Sequence, residues 1–297
     1  MKKLTPFLFI VAAAFMGGGV STLSKIASAE IPPITFTLLR FMLGALTLLP
    51  FFIIFREKIT KIDRKSIIAI SLLAALNPFL FFIGVKHTTA IMGQMVYTAL
   101  PLITIIFSYW MGEETITRKK ILGVLIGLIG ALIIVVHPAI ENGTNLTNSS
   151  MIGNIIILCA AISFSLYTVL IRKHQKDHSP LELNMYFMLT TITAQLFLLP
   201  IDLATAPAWW QTITNSGILG LLYVGIIGTG IYYLLIQYAL KTSSPLAAST
   251  ILYLQPLFTI IWAGILLGEK LTSSLILGGI LAFIGIGLVM SRQKARQ

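Results

Sequence analysis

Long apolar runs separated by short polar interruptions restrict the fold of this chain more than any other feature. A helix that crosses the hydrocarbon core of a bilayer needs about 20 apolar residues. Polar and proline-containing breaks divide the 297 residues into runs at approximately 5–25, 34–55, 66–86, 91–111, 119–136, 152–171, 181–200, 216–238, 245–267 and 273–291. The sequence therefore predicts an all-α integral membrane protein with ten transmembrane helices, called spans 1 to 10 below.

The composition agrees with a membrane environment and argues against other functional classes. Only 10% of the residues are charged, whereas soluble domains carry roughly a quarter. The net charge of +11 comes from basic residues scattered between the apolar runs, so we expect no nucleic-acid site. The chain has one cysteine, Cys159, and no Walker-type phosphate loop. No catalytic triad or carboxylate pair falls within the spans, and we therefore expect no enzyme activity and no cofactor.

Two histidines have a spacing that metal ligands can use. His174 and His178 stand four residues apart beside Asp177. They fall in a short basic connection between spans 6 and 7, so we expect solvated side chains there and no metal.

The distribution of positive residues predicts the orientation. With the N-terminus inside, 17 of the 21 Lys and Arg residues face the cytoplasm, as the positive-inside rule requires. Lys25, Lys86 and Lys270 fall on the opposite side, and Arg40 lies within span 2. We expect both termini to be cytoplasmic in a bacterial-type inner membrane. The first apolar run is long for a signal peptide, and we expect it to be retained as span 1.

The two halves of the chain resemble each other at an offset of 155 residues. Lys86 aligns with Lys241, Pro101 with Pro256, Glu114 with Glu269 and Gly130 with Gly285. Such self-similarity indicates an internal repeat, with five-helix units at 1–145 and 146–297. Because five is odd, the second unit enters the membrane in the opposite direction. Inverted repeats of this kind place a binding site near the bilayer midplane and alternate its access.

This pattern resembles the drug/metabolite transporter superfamily, specifically its EamA-like members. The matching marks are two prolines, two Gly-Glu pairs that close spans 4 and 9, and glycine-rich spans 5 and 10: Pro101, Pro256, Gly112-Glu113, Gly268-Glu269, Gly123, Gly127, Gly130, Gly278, Gly279, Gly285 and Gly287. The resemblance implies secondary transport, commonly export of amino acids, other metabolites or toxic compounds. Span 1 departs from the family, because Gly17-Gly18-Gly19 replaces the Trp-Gly often found there. We interpret the glycines of spans 5 and 10 as close-packing positions.

Arg40 is the most specific candidate for substrate binding. A polar group inside the membrane is costly unless it is paired or functional. Arg40 lies about six residues into span 2, or roughly 9 Å below the outer boundary at 1.5 Å per residue. One interpretation is a contact with an anion or a carboxylate. The alternatives are snorkelling to the interface or a structural bond to a neighbouring helix.

Further candidates lie on spans 3, 4, 8 and 9. Gln94, Tyr97 and Pro101 share one face of span 4 through their i, i+3, i+7 spacing. The corresponding part of span 9 offers Tyr253, Gln255 and Pro256, and we expect both prolines to kink their helices near the cavity. Weaker candidates are Asn77 in span 3 and the pair Tyr232-Tyr233 in span 8. For the residues of spans 4 and 9 the alternative is an interhelical hydrogen bond, and for the aromatic pair of span 8 it is a place in an interfacial belt.

The positions of the acidic residues restrict the energy coupling. All ten Asp and Glu residues map to loops or helix ends, whereas a proton-driven antiporter often uses a buried carboxylate. We therefore expect transport that is uncoupled or exchange-type, or that is coupled through a group near an interface. The predicted function is export of a small-molecule substrate by a protein embedded in a lipid bilayer. Uptake on the same scaffold and a non-transporting receptor are alternatives, and homodimer formation stays open.

Overall fold

The computed structural model describes residues 4–55, 63–112, 117–141, 149–233, 235 and 245–290, and within them the chain is helical without strands. The α-helices are α1 Leu4–Ser28, α2 Pro33–Ile54, α3 Arg64–His87, α4 Ala90–Val96, α5 Leu100–Trp110, α6 Arg118–Glu141, α7 Ser149–Ile171, α8 Pro180–Thr205, α9 Trp209–Thr212, α10 Asn215–Leu222, α11 Pro245–Leu267 and α12 Ser273–Met290. Turns of 3₁₀-helix cover Tyr97–Ala99 and Arg172–Lys176, and a π-helix covers Tyr223–Ile231.

Several of these helices have the length and apolarity that a membrane span requires. Five stretches qualify among the described residues: Pro33–Ile54, Arg64–His87, Ala90–Trp110, Ser150–Gln175 and Pro180–Thr205. Shorter apolar helices lie at Asn215–Ile231, Leu254–Leu267 and Leu275–Gly285. The prediction of an all-helical membrane protein is therefore confirmed.

Two predicted spans change helix type along their length. Span 4 consists of α4, the 3₁₀ turn and α5, and the change falls just before Pro101. Proline lacks an N–H and its ring clashes with the carbonyl four residues earlier, which here belongs to Tyr97. In contrast, α11 passes through Pro256 as one α-helix. Span 8 changes from α10 to π-helix, a form often found at functional sites.

Helices α6 and α12 pack against each other through glycines. A Cβ atom at Gly130 would lie 2.5 Å from the carbonyl oxygen of Gly278, and one at Gly278 would lie 2.8 Å from that of Gly130. Any larger side chain would force the backbones apart, so these glycines form the close-packing seam that the sequence predicts.

One end of the bundle is held by carboxylates that cap helices distant in sequence. Glu30, which follows α1, accepts hydrogen bonds from the N–H and the hydroxyl of Thr214, both at 2.7 Å. Thr214 is the residue before α10. Asp202, near the end of α8, accepts from the Thr35 N–H at 2.6 Å and its hydroxyl at 2.9 Å in α2. A carboxylate at a helix N-terminus satisfies unpaired N–H groups and complements the helix dipole.

Glu269 makes the third such contact. Its carboxylate accepts the N–H groups of Ala90 at 2.8 Å and Ile91 at 2.9 Å, at the start of α4. Helices α2, α4 and α10 thus begin at the end of the bundle where α1, α8 and α11 finish. We call this end the outer end, after the orientation that the positive residues predict.

At the opposite end, the expectation of solvated histidines is wrong. His174 and His178 are only 3% and 4% exposed. The Nδ1 atom of His174 lies 3.4 Å from Asp63, and its Nε2 lies 3.2 Å from the Ser66 hydroxyl. His178 pairs with Glu182 at 3.0 Å. The 3₁₀ turn after α7 thus places His174 against the start of α3, whereas His178 is buried beside Glu182 and Tyr186 of α8. No group of three metal-ligating side chains occurs among the residues described.

Candidate functional site

Arg40 points into the helix bundle. It lies seven residues after the start of α2, roughly 10 Å below the outer end. Its Nε donates to the Thr229 hydroxyl at 2.7 Å, and the Tyr233 and Tyr97 side chains lie within electrostatic range of the guanidinium. Over the described ranges, no carboxylate lies within ion-pair distance of Arg40. The guanidinium of Arg40 therefore has one hydrogen bond to the protein, and no described carboxylate neutralises its charge.

Glycines bring α2 and the π-helix close enough for the bond between Arg40 and Thr229. A Cβ at Gly44 would lie 2.6 Å from the Thr229 methyl group, and one at Gly225 would lie 2.8 Å from the Leu43 side chain. The Thr229 hydroxyl in turn donates to the Val224 carbonyl at 2.7 Å. Because that acceptor lies five residues back, the hydroxyl bonds to the π-helical backbone itself. The position of the arginine thus depends on the π-helix.

Tyr97 is oriented by Asn77. The Asn77 amide donates to the Tyr97 hydroxyl at 2.5 Å and to the Ala160 carbonyl at 2.9 Å. Phe81 holds the tyrosine ring edge-on at a centroid distance of 5.1 Å. Because the Tyr97 oxygen accepts this bond, its own proton is left to donate, and the described part of the chain supplies no acceptor for it. Asn77, Tyr97 and Arg40 therefore come together as one polar group.

Gln94 lies one turn earlier on the same face of α4. Its side-chain oxygen accepts from the Ser21 hydroxyl at 2.9 Å, and the residue is buried. This bond joins α1 to α4 close to the polar group around Arg40. Gln94 is thus placed near Tyr97, as its spacing predicts, but one of its polar atoms already has a protein partner.

Tyr232 and Gln255 form a separate pair. The Gln255 amide donates to the Tyr232 hydroxyl at 2.8 Å, and both side chains pack over Gly17 of α1, where a Cβ would lie 2.9 Å from the Tyr232 ring. This pair belongs to the contact between α1 and α11 and is not brought to Arg40. Tyr253 lies in α11, but its side chain falls outside the described residues.

Tyr233 is the member of the tyrosine pair that faces the site. Its ring lies 5.8 Å from that of Tyr232 and 6.5 Å from that of Phe187. Its side chain lies within electrostatic range of Arg40. Thr229 is a site residue that sequence reasoning missed, since a threonine in an apolar helix carries no signal by itself. Three glycines within the π-helix, Gly225, Gly228 and Gly230, were the only indication of an unusually close helix contact there.

A bundle of apolar helices around a half-buried group of arginine, tyrosine and asparagine side chains is typical of a multi-pass membrane protein. The sequence profile of the EamA-like transporter family matches residues 4–136 and 151–291. The chain belongs to the EamA-like transporter family.

Individual relatives align along nearly the whole chain. An uncharacterized transporter, YyaM, from Bacillus subtilis (strain 168) is 26% identical over 297 residues, covering 96% of this chain and 93% of the relative. The WAT1-related protein At4g08290 from Arabidopsis thaliana is 25% identical over 324 residues, covering 98% and 83%. A solved crystal structure superposes with a TM-score of 0.67 at 19% identity and covers 96% of both chains, which shows a shared fold.

Proposed function

We propose that this protein is a secondary transporter that exports small metabolites, such as amino acids or amphipathic drugs, by alternating access. The observation that carries the proposal is the position of Arg40. Its guanidinium, on α2 of the first half, bonds to Thr229 of the second half, and Tyr97 of the first half lies within electrostatic range. A substrate bound there would contact both halves at once, which is what a carrier that rocks one half against the other requires.

The helix contacts support two inverted repeats as the basis of this motion. The family profile matches twice, at 4–136 and 151–291, close to the predicted units 1–145 and 146–297. The helix pairs also recur when the halves are exchanged: α1 packs on α11 as α7 packs on α5, and α1 packs on α10 as α7 packs on α3. Helix α1 finishes at the outer end, whereas α7 finishes beside Asp63 at the opposite end. The first helices of the two halves therefore run in opposite directions.

The chemistry of the site favours a substrate that carries a carboxylate. A guanidinium without a carboxylate partner inside a protein gains most from an anionic ligand, because charge-assisted hydrogen bonds are the strong ones. The Tyr97 hydroxyl adds a donor on the same side. Apolar and aromatic walls suit an amphipathic or zwitterionic molecule over a polyanion.

The carboxylates of the protein favour transport without proton coupling. Glu30, Asp202 and Glu269 each cap a helix at the outer end, and Glu182 pairs with His178 at the opposite end. None of these four lies beside Arg40. We therefore propose uniport or exchange. Net uptake on the same scaffold is the second candidate, since the geometry does not depend on the direction of flux.

The test is flux of labelled amino acids through proteoliposomes that contain purified protein. Arg40→Gln removes the charge, and we expect the apparent affinity for a transported carboxylate to fall by about 10–100-fold, because a hydrogen bond to a charged group contributes about 1.5–3 kcal/mol. Tyr97→Phe removes one donor and should lower affinity by about tenfold or less. Tyr109→Phe is the matched control, since Tyr109 is exposed on α5.

Competition with carboxamide analogues separates a binding role from a structural one. The wild type should prefer the carboxylate over its amide, and Arg40→Gln should lose this preference. If Arg40→Gln keeps the wild-type affinity and preference, the arginine is only a structural anchor and the proposed site is wrong.

A further inference from the structure

The outer end carries a set of contacts that join helix ends, and the first of them involves Lys25. This residue stands near the end of α1, and its ammonium donates to the carbonyls of Thr88 and, at 3.4 Å, Val85. These carbonyls belong to the last turn of α3 and the residue after it, where a cation is favoured by the helix dipole. Lys25 also interacts electrostatically with Glu269.

Glu269 holds the other side of the same corner. Lys25 binds where α3 ends, and the Glu269 carboxylate binds the two N–H groups where α4 begins. Gly268 precedes it with a φ of +64° and has open space around its Cβ position. The left-handed backbone that ends α11 therefore directs Glu269 at α4. The corner between α3 and α4 is thus held by a cation from the first half and an anion from the second.

An aromatic stack lies one helical turn nearer the outer end than Arg40. Phe36 precedes Arg40 by one turn of α2, and its ring stacks on that of Phe82 in α3, with centroids 3.8 Å apart and planes 13° apart. The two residues are 0% and 1% exposed. The stack joins α2 to α3, and both rings are shielded from solvent.

We propose that Lys25 and Glu269 form a charged clasp, and the Phe36–Phe82 stack a plug, that together make the outer gate of the transporter. This inference rests on the proposed function. For Arg40 to become accessible from outside, the two rings must separate and the α3–α4 corner must move away from Lys25 and Glu269. The clasp suits a reversible gate, because every group that it releases lies at the end of the bundle where water can replace the lost bonds. The charges hold the gate closed, and the rings exclude water while it is closed.

Distances between spin labels test the clasp without any need for a known substrate. Labels on Lys86→Cys at the end of α3 and Gln211→Cys in α9, both exposed positions, report movement of the corner in a Cys159→Ala background. Pulsed electron–electron double resonance in lipid nanodiscs then gives the ratio of short to long distances between the two labels. Glu269→Gln should raise the long-distance population by about tenfold, as expected for the loss of charge-assisted hydrogen bonds.

Three further variants make the test specific. Lys25→Met should shift the distribution in the same direction, and the double variant should show less than the product of the two effects, because the residues hold one corner. Lys270→Gln removes the neighbouring exposed charge outside the clasp and should leave the distribution unchanged.

Two outcomes would overturn the gate. One is a wild-type distance distribution in both clasp variants, provided that they elute as monodisperse folded protein. The other is an equal shift in Lys270→Gln. Substrate flux is measured separately on the same samples, so an absence of transport in the wild type contradicts the proposed function, whereas an absence of a distance shift contradicts the gate alone.

Discussion

The glycine seam between α6 and α12 gives a quantitative prediction from geometry alone. In Gly285→Ala, the new Cβ would lie 2.5 Å from both the Gly123 carbonyl oxygen and the Gly127 Cα. Ordinary contacts of such a carbon begin at 3.4 Å, so the methyl group is about 0.9 Å too close to two backbone atoms. Backbone atoms cannot rotate away as side chains do, and the two helices must therefore separate.

The expected cost follows from the loss of packing. A gap of about 0.5–1 Å already forfeits a quarter to a half of the dispersion energy of each contact across it, and helix association in membranes depends on such contacts. Overpacking of this kind costs about 1–3 kcal/mol. Gly287→Ala is the matched control in the same helix, because no described atom lies within 4 Å of its Cβ position. Both variants gain the same helix propensity, about 1 kcal/mol, which cancels in the comparison.

The assay is unfolding in mixed micelles of dodecyl maltoside and increasing sodium dodecyl sulfate, followed by the fluorescence of the four tryptophans. We expect the free energy of unfolding of Gly285→Ala to lie about 1–3 kcal/mol below that of Gly287→Ala. Equal stabilities of the two variants would refute the close approach of α6 and α12.

Two other predictions concern the helix end at Gly268 and the energy source. Gly268→Ala should destabilise the protein by about 1 kcal/mol, because alanine tolerates the positive φ at this position poorly. It should also raise the long-distance spin-label population, as Glu269→Gln does. A loss of stability without that shift would contradict the role assigned to Gly268. Substrate flux in proteoliposomes should not respond to an imposed pH gradient, because no described carboxylate lies beside Arg40; uphill flux driven by protons would contradict this.

The helices of this chain follow from its sequence because the membrane leaves few alternatives. Every backbone N–H and C=O in the hydrocarbon core needs an internal partner, so each long apolar run becomes a helix. The seam glycines could also be predicted, since only small residues allow two helices such as α6 and α12 to approach closely.

The partner of Arg40 could not be predicted from periodicity. A π-helix bonds residue i to i+5 and shifts the phase of every residue that follows it. A helical wheel of normal period therefore does not tell which of Tyr232 and Tyr233 faces α2. In the structure, Tyr232 packs against Gly17 of α1, and the Tyr233 side chain lies within electrostatic range of Arg40.

Contacts between residues far apart in the sequence also explain why other side-chain partners could not be predicted. The sequence locates Glu30, Asp202 and Glu269 at helix ends, but the helices that they cap lie between 167 and 184 residues away. His174 is buried against Asp63 and Ser66 at the start of α3, a contact that its local sequence does not indicate, whereas His178 pairs with Glu182 four residues later. Local pattern gives the elements, whereas polar pairs between distant elements require the assembled fold.

Counterflow tests the central claim of carrier-type transport most directly. Vesicles that contain the purified protein are loaded with an unlabelled amino acid or amphipathic drug and diluted into a trace of the labelled compound, with no ATP and no ion gradient. We expect labelled substrate to accumulate transiently above its external concentration for at least one compound, and Arg40→Gln to reduce this accumulation for carboxylates. An absence of accumulation above protein-free vesicles, for every compound of both classes, would contradict the account.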